Sequence, residues 1–170
     1  MNIVRVLLSI AANKDWPLNQ FDVTNAFLYG ELRKDVYMEI PPGFSDEFGD
    51  EKVCRLKKTL YGLKQSPRAR FGRFTEAMKK YDYLQSNADH TLFIKKKGEK
   101  ITCLIIYVDD MIITRDDLEE IDELTKNLAT EFEMKDLGHL KYFLGVEVLR
   151  SALGIFINQK KYISDHLAKA

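Results

Sequence analysis

The sequence predicts an α+β fold, an antiparallel sheet with helices packed on one face, and three observations carry that reading. Two apolar, β-branched runs, 101–106 and 111–114, flank Tyr107-Val-Asp-Asp110 and read as the strands of one hairpin. Three stretches keep a helical period: Val4, Leu7, Leu8 and Ala11; Phe71, Phe74, Met78 and Tyr81; and Leu118, Ile121, Leu124, Leu128 and Phe132. Their order along the chain is helix, strand, helix, strand pair, helix, strand pair.

At 170 residues the chain is one domain of ordinary size, long enough to bury a core. With 45% hydrophobic and 31% charged residues it is globular rather than disordered. A formal net charge of +0 excludes a uniformly positive coat, but the charge is unevenly placed. From Lys52 to Lys80 the bases are opposed by Glu76 alone, whereas from Asp109 to Glu133 the acids are opposed only by Arg115 and Lys126. One surface can therefore face a polyanion while another does not, the plain alternative being a solvated face. Cys54 and Cys103 lie in apolar, strand-like segments and read as buried small hydrophobes of a reducing compartment. No apolar run approaches the roughly 20 residues of a membrane span, so no membrane partner is expected.

In order, Val4 to Ala12 is an amphipathic helix, 13–17 a turn, and 18–23 a strand that brings Asp22 to its end. An acid there suits catalysis, and it equally suits an N-cap of the following turn. Phe27 walls a sugar pocket or fills a core. Residues 37–44 are extended because Pro41 and Pro42 forbid a helix, 45–51 form an exposed loop, and 53–56 return to strand. Ser66 as N-cap and Pro67 at the first helical position start the second helix. The loop before it, with Gly62, Lys64 and Gln65, can bring backbone amides close to a ligand. Residues 90–94 and 101–108 read as antiparallel strands joined at 97–99, with Lys95, Lys96, Lys97 and Lys100 at a solvated hairpin end. Asp116 caps the third helix, whose early acids suit its dipole. A last hairpin pairs 141–149 with 155–159 across Gly154, and 160–170 form a short helix.

Asp109 and Asp110 put two adjacent carboxylates at a hairpin tip, either a two-cation site or simple turn chemistry. A tight turn prefers Asn-Gly or Asp-Gly, and no Gly follows here.

The stretches 20–32, 36–44 and 53–69, together with Tyr107-Val-Asp-Asp110, resemble reverse transcriptases of the Ty1/copia class of LTR retrotransposons, in order and over almost the whole chain. The likeness continues through 87–93, Met134-Lys-Asp-Leu-Gly138 and Tyr142-Phe-Leu-Gly-Val-Glu-Val148. The resemblance implies a polymerase palm with a ferredoxin-like core over 1–150 and the start of a thumb or connection over 151–170, with the fingers largely absent. It implies that Asp22, Asp109 and Asp110 hold two Mg2+ (or Mn2+) ions for nucleotidyl transfer from a dNTP to a primer 3′-hydroxyl. It further assigns Phe27 as an aromatic gate against ribonucleotides. Gly62, Lys64, Gln65, Ser66 and Pro67 fall to template and nucleotide contact, and Tyr107 with Val108 to the floor of the site. Tyr142, Phe143, Leu144 and Gly145 correspond to a primer grip, and Lys135 to a general acid or a solvated surface lysine. The implied partners are an RNA or DNA template with primer, dNTP, and the fingers, RNase H and integrase parts of a polyprotein. The implied setting is the cytoplasm or a virus-like particle. Two departures stand out, Arg70 where the family usually has Trp and Arg115 where it usually has Gly. The competing reading is an inactive retrotransposon-derived fragment that folds and binds metal or nucleic acid weakly. A palm-fold nucleotidyl cyclase is disfavoured, since its Gly-Gly-acid hairpin has no counterpart here.

Overall fold

The computed structural model describes residues 2–24, 30, 32, 34–44, 52–116 and 118–168. In chain order the elements are helix α1 (Asn2–Lys14), strands β1 (Leu18–Val23), β2 (Tyr37–Glu39) and β3 (Val53–Arg55), and helix α2 (Ser66–Lys80). Strands β4 (Leu84–Gln85), β5 (Leu92–Lys97), β6 (Lys100–Tyr107) and β7 (Asp110–Arg115) follow, then helix α3 (Leu118–Ala129). Strands β8 (Met134–His139), β9 (Tyr142–Phe143), β10 (Val146–Ser151) and β11 (Gly154–Asn158) lead to helix α4 (Lys160–Leu167).

Two compact units share the chain, Asn25–Ala77 and the remainder, Met1–Thr24 with Met78–Ala170. The expected division at residue 150 coincides with neither, because β10 runs across it and pairs with β11. The larger unit is built on a six-stranded sheet of order β4-β5-β6-β7-β1-β8, antiparallel at every pairing, with a three-stranded sheet β11-β10-β9 beside it. The smaller unit holds the β2–β3 pair and α2 as far as Ala77.

Strands β6 and β7 carry continuous buried runs, Cys103 to Ile106 and Met111 to Arg115, so both faces of the sheet are covered. On one face Val4, Leu7, Leu8 and Ala11 of α1 pack with Leu18, Leu92, Cys103, Ile105 and Ile112, joined by Phe143 and Val148 of the small sheet. Alternation sends Leu104, Ile113 and Lys95 to the other face, where Glu120 of α3 receives hydrogen bonds from Lys95 Nζ at 2.7 Å and Tyr83 Oη at 3.2 Å. The expectation of helices on one face is therefore corrected, since two-sided burial is what near-continuous apolar runs achieve. Each fully buried Ile or Leu contributes about 1.5–3 kcal/mol relative to exposure.

Several local readings also change. Lys95 is drawn into the ion pair with Glu120 instead of staying in solvent. Asp116 accepts the Ile101 amide at 2.8 Å, tying the start of the α3 segment to β6. Ser66 is buried and its Oγ donates to the Leu60 carbonyl at 2.6 Å rather than capping α2. Cys54 is only partly buried, whereas burial pushes the Cys103 thiol up to about 11. Arg70 and Arg115, the two departures, are both buried.

Candidate functional site

The carboxylates meet at the end of the large sheet because β1 and β7 run antiparallel in a register that sets Asp22 opposite Asp110. Directly opposed residues point to the same face with Cβ atoms roughly 4.5–5.5 Å apart. Tyr107 pairs with Asp110, which leaves Val108 and Asp109 as a two-residue turn. Val108 takes φ +54°, a left-handed conformation that costs a β-branched residue about 1–3 kcal/mol. The turn is fastened from the side, as the Val23 amide donates to the Asp109 carbonyl at 2.8 Å and the Thr24 amide to the Glu133 carbonyl at 2.8 Å. The end of β1 is thus bonded to the hairpin tip on one side and to the residue before β8 on the other.

Gln20, two residues before Asp22 and on the same strand face, is buried, and its Nε2 donates to Asp110 Oδ1 at 3.2 Å. Burial holds the Asp110 carboxyl above the usual carboxylate range; the Gln20 amide pulls it down, and the charges of Asp22 and Asp109 push it up. A divalent cation would relieve that mutual repulsion, and hard carboxylate oxygens are the donors magnesium prefers. Among the described residues no three such side chains already converge as a metal-holding group. Lys135 of β8 lies opposite Asp22 in register, exposed and on the carboxylate face. The sequence reading missed Gln20, although a buried amide two residues from a strand-end carboxylate demands a partner.

Tyr107 is half exposed and lines a cavity of about 440 Å³ with Ile3, Val4, Asp89, Thr91, Ile105 and Leu144. Asp89 accepts both the Thr91 amide, at 2.9 Å, and the Thr91 hydroxyl, at 2.6 Å, which hold its carboxyl below the usual range. Leu144 reaches this cavity from a second tight turn. Phe143 pairs with Val146, leaving Leu144 at φ +50° and Gly145 at φ +80° between β9 and β10. Phe143 is buried in the core, and Tyr142 lies under Lys161 Nζ, 5.4 Å from its ring. Of Tyr142, Phe143, Leu144 and Gly145, Leu144 alone is among those lining the cavity with Tyr107.

Gly62 (φ +87°), Lys64 and Gln65 belong to the smaller unit at the approach to α2, and Pro67 lies in the first turn of that helix. Phe27 lies outside the described residues.

A family model described as reverse transcriptase (RNA-dependent DNA polymerase) matches residues 1–170. The chain is 41% identical over 166 residues to the retrovirus-related Pol polyprotein from transposon RE1 of Arabidopsis thaliana, an alignment covering 98% of this chain and 11% of that polyprotein. It is 39% identical over 166 residues to the Pol polyprotein from transposon TNT 1-94 of Nicotiana tabacum, covering 96% of this chain and 12% of the relative. With the transposon Ty1-NL2 Gag-Pol polyprotein of Saccharomyces cerevisiae the identity is 29% over 170 residues, covering 96% of this chain and 9% of the relative. The chain therefore spans about a tenth of the length of these polyproteins.

Proposed function

We propose a function from one premise: this chain belongs to the reverse transcriptase (RNA-dependent DNA polymerase) family, of the Ty1/copia transposon type. Its carboxylate end is the palm site of an RNA-directed DNA polymerase, a nucleotidyltransferase acting within a longer Pol polyprotein. The register that sets Asp22 opposite Asp110, with Asp109 at the adjoining tip, carries this reading. Those three carboxylates would hold two Mg2+ or Mn2+ ions. When bound, the ions activate a primer 3′-hydroxyl and neutralise charge on the departing pyrophosphate.

The remaining steps belong to side chains. Gln20 keeps the Asp110 carboxylate turned along the sheet face, and the strained turn fixes Asp109. Lys135, opposite Asp22, can give a proton to pyrophosphate as a general acid. Tyr107 and Leu144 share a cavity suited to the primer end, with Tyr142, Phe143 and Gly145 shaping the turn that carries Leu144. Phe27 selects deoxynucleotides, and Gly62, Lys64 and Gln65 contact template and dNTP. The partners are a primed RNA or DNA template, dNTP and the rest of the polyprotein, in the cytoplasm or a virus-like particle.

Primer extension on poly-rA/oligo-dT with Mg2+ or Mn2+ tests this. The Asp109→Asn, Asp110→Asn double variant should lose at least about 10³-fold in rate, the scale of losing key transition-state electrostatics. Absence of extension by the wild-type chain, shown folded by circular dichroism, would overturn the activity for these 170 residues and leave a folded module of the family.

A further inference from the structure

We infer that the larger unit carries a second ligand site, an apolar cavity with a cationic mouth that takes a medium-chain carboxylate. The site stands apart from the Asp22, Asp109 and Asp110 cluster and does not depend on the polymerase reading. A cavity of about 320 Å³ opens between α1 and the three-stranded sheet, and every residue lining it belongs to the larger unit. Its floor is made of Val4, Leu8, Leu140, Phe143 and Val148, all of them buried members of the core. Space of this size with aliphatic and aromatic walls lies at the lower end of small-molecule sites. At about 30 Å³ for each water-sized group, it holds about ten heavy atoms, the size of octanoate.

The lining is graded from this floor to a polar mouth. Arg5, next to Val4 on α1, and Gln159, where β11 gives way to α4, both line the cavity and are both exposed. Arg5 is the one charged residue of the lining. The ion pairs of the larger unit join Lys80 to Glu131, Lys95 to Glu120 and Arg150 to Asp15, and among the described residues no acid engages Arg5. At the start of α4 the Lys160 amide donates to Asn158 Oδ1 at 2.9 Å and the Lys161 amide to Glu147 Oε2 at 3.3 Å. Gln159 makes no side-chain cap to that helix, so its amide is left to serve the mouth. A buried hydrocarbon floor beneath an unpaired guanidinium selects a ligand with an apolar body and an anionic end. The planar fork of a guanidinium matches the two oxygens of a carboxylate. Inorganic phosphate lacks the body, and an alkylamine carries the wrong charge.

Isothermal titration calorimetry of the whole chain with octanoate, octan-1-ol and octylamine tests the site. Octanoate should saturate at one equivalent and bind about fourfold tighter than octanol, the scale of one solvent-screened ion pair. Arg5→Gln, a change at an exposed position, should bring octanoate down to the affinity of octanol and leave octanol as it was. Ile157→Trp fills the cavity from an exposed lining position and should abolish saturable binding of both, with circular dichroism showing the fold kept. Equal affinity for octanoate and octanol in the wild type, or tighter binding of octylamine, would overturn the carboxylate. Absence of saturation, or binding that Ile157→Trp leaves unchanged, would overturn the cavity. Self-association in sedimentation that Ile157→Trp abolishes and octanoate does not reverse would overturn the small ligand in favour of a second copy of the chain.

Discussion

Two tight turns of the larger unit, Val108-Asp109 and Leu144-Gly145, close two-residue hairpins with different chemistry. At Leu144-Gly145 both residues have positive φ, the type I′ geometry that matches strand twist, and glycine occupies one of the two places. At Val108-Asp109 a β-branched residue takes the left-handed conformation and no glycine relieves it. The Leu144-Gly145 turn gives its second position to conformational ease, and the Val108-Asp109 turn gives it to a carboxylate. Strain at Val108 thus marks a place where side-chain chemistry outweighs backbone comfort.

The glycine turn offers the largest effect with which to break that contrast. Gly145→Ala forces an L side chain into φ +80° with its Cβ 3.0 Å from Tyr162 Cδ2, and should cost roughly 2 kcal/mol. A lowered urea midpoint at unchanged m would register it. Next, Gln20→Leu removes the amide from Asp110 while keeping the buried volume. Primer extension should fall by about tenfold, or ~1.4 kcal/mol, through kcat rather than KM. Val108→Gly should then gain up to about 1 kcal/mol of stability by relieving the turn, yet slow extension because Asp109 is held less firmly. Stability and activity rising together in that variant would remove the functional meaning of the strain. The smallest effect lies at Asp89, which lines the cavity shared by Tyr107 and Leu144. Its Thr91 hydrogen bonds lower its native pKa, so their stabilisation is full above the unfolded Asp value of about 3.9 and is lost as pH falls through the lowered native value. Asp89→Asn should differ from wild type by at most about 0.5 kcal/mol at neutral pH after solvent screening, and match it near pH 2 in thermal melts.

The elements with strong periodicity were legible in the sequence, because α1, β6 and β7 each bury a patterned apolar set. The tip carboxylates were legible for the same reason, being bracketed by two such strands. Strand β8 was not, since Met134–His139 is almost wholly exposed and carries no alternation; only its pairing with β1 defines it. The run 141–149 read as one strand, yet it breaks at Leu144-Gly145, because leucine at positive φ gives no turn signal. The Gln20 to Asp110 bond joins residues 90 positions apart, and local pattern cannot foresee such a pair. Both family departures became charged residues in buried places, which composition alone would put at the surface.

Strand β8 also closes one side of the six-stranded sheet, beside the strand that bears Asp22. An open border of this kind invites a neighbouring molecule to add its own strand and grow the sheet. Here the border carries Lys135, Asp136 and His139, bends at Gly138 with φ +74°, and slips register against β1 between Gln20 and Phe21. Charge, bend and slip are the devices that make such a border a poor template, so the chain can keep the strand that bears Asp22 next to an exposed margin without seeding fibrils from it.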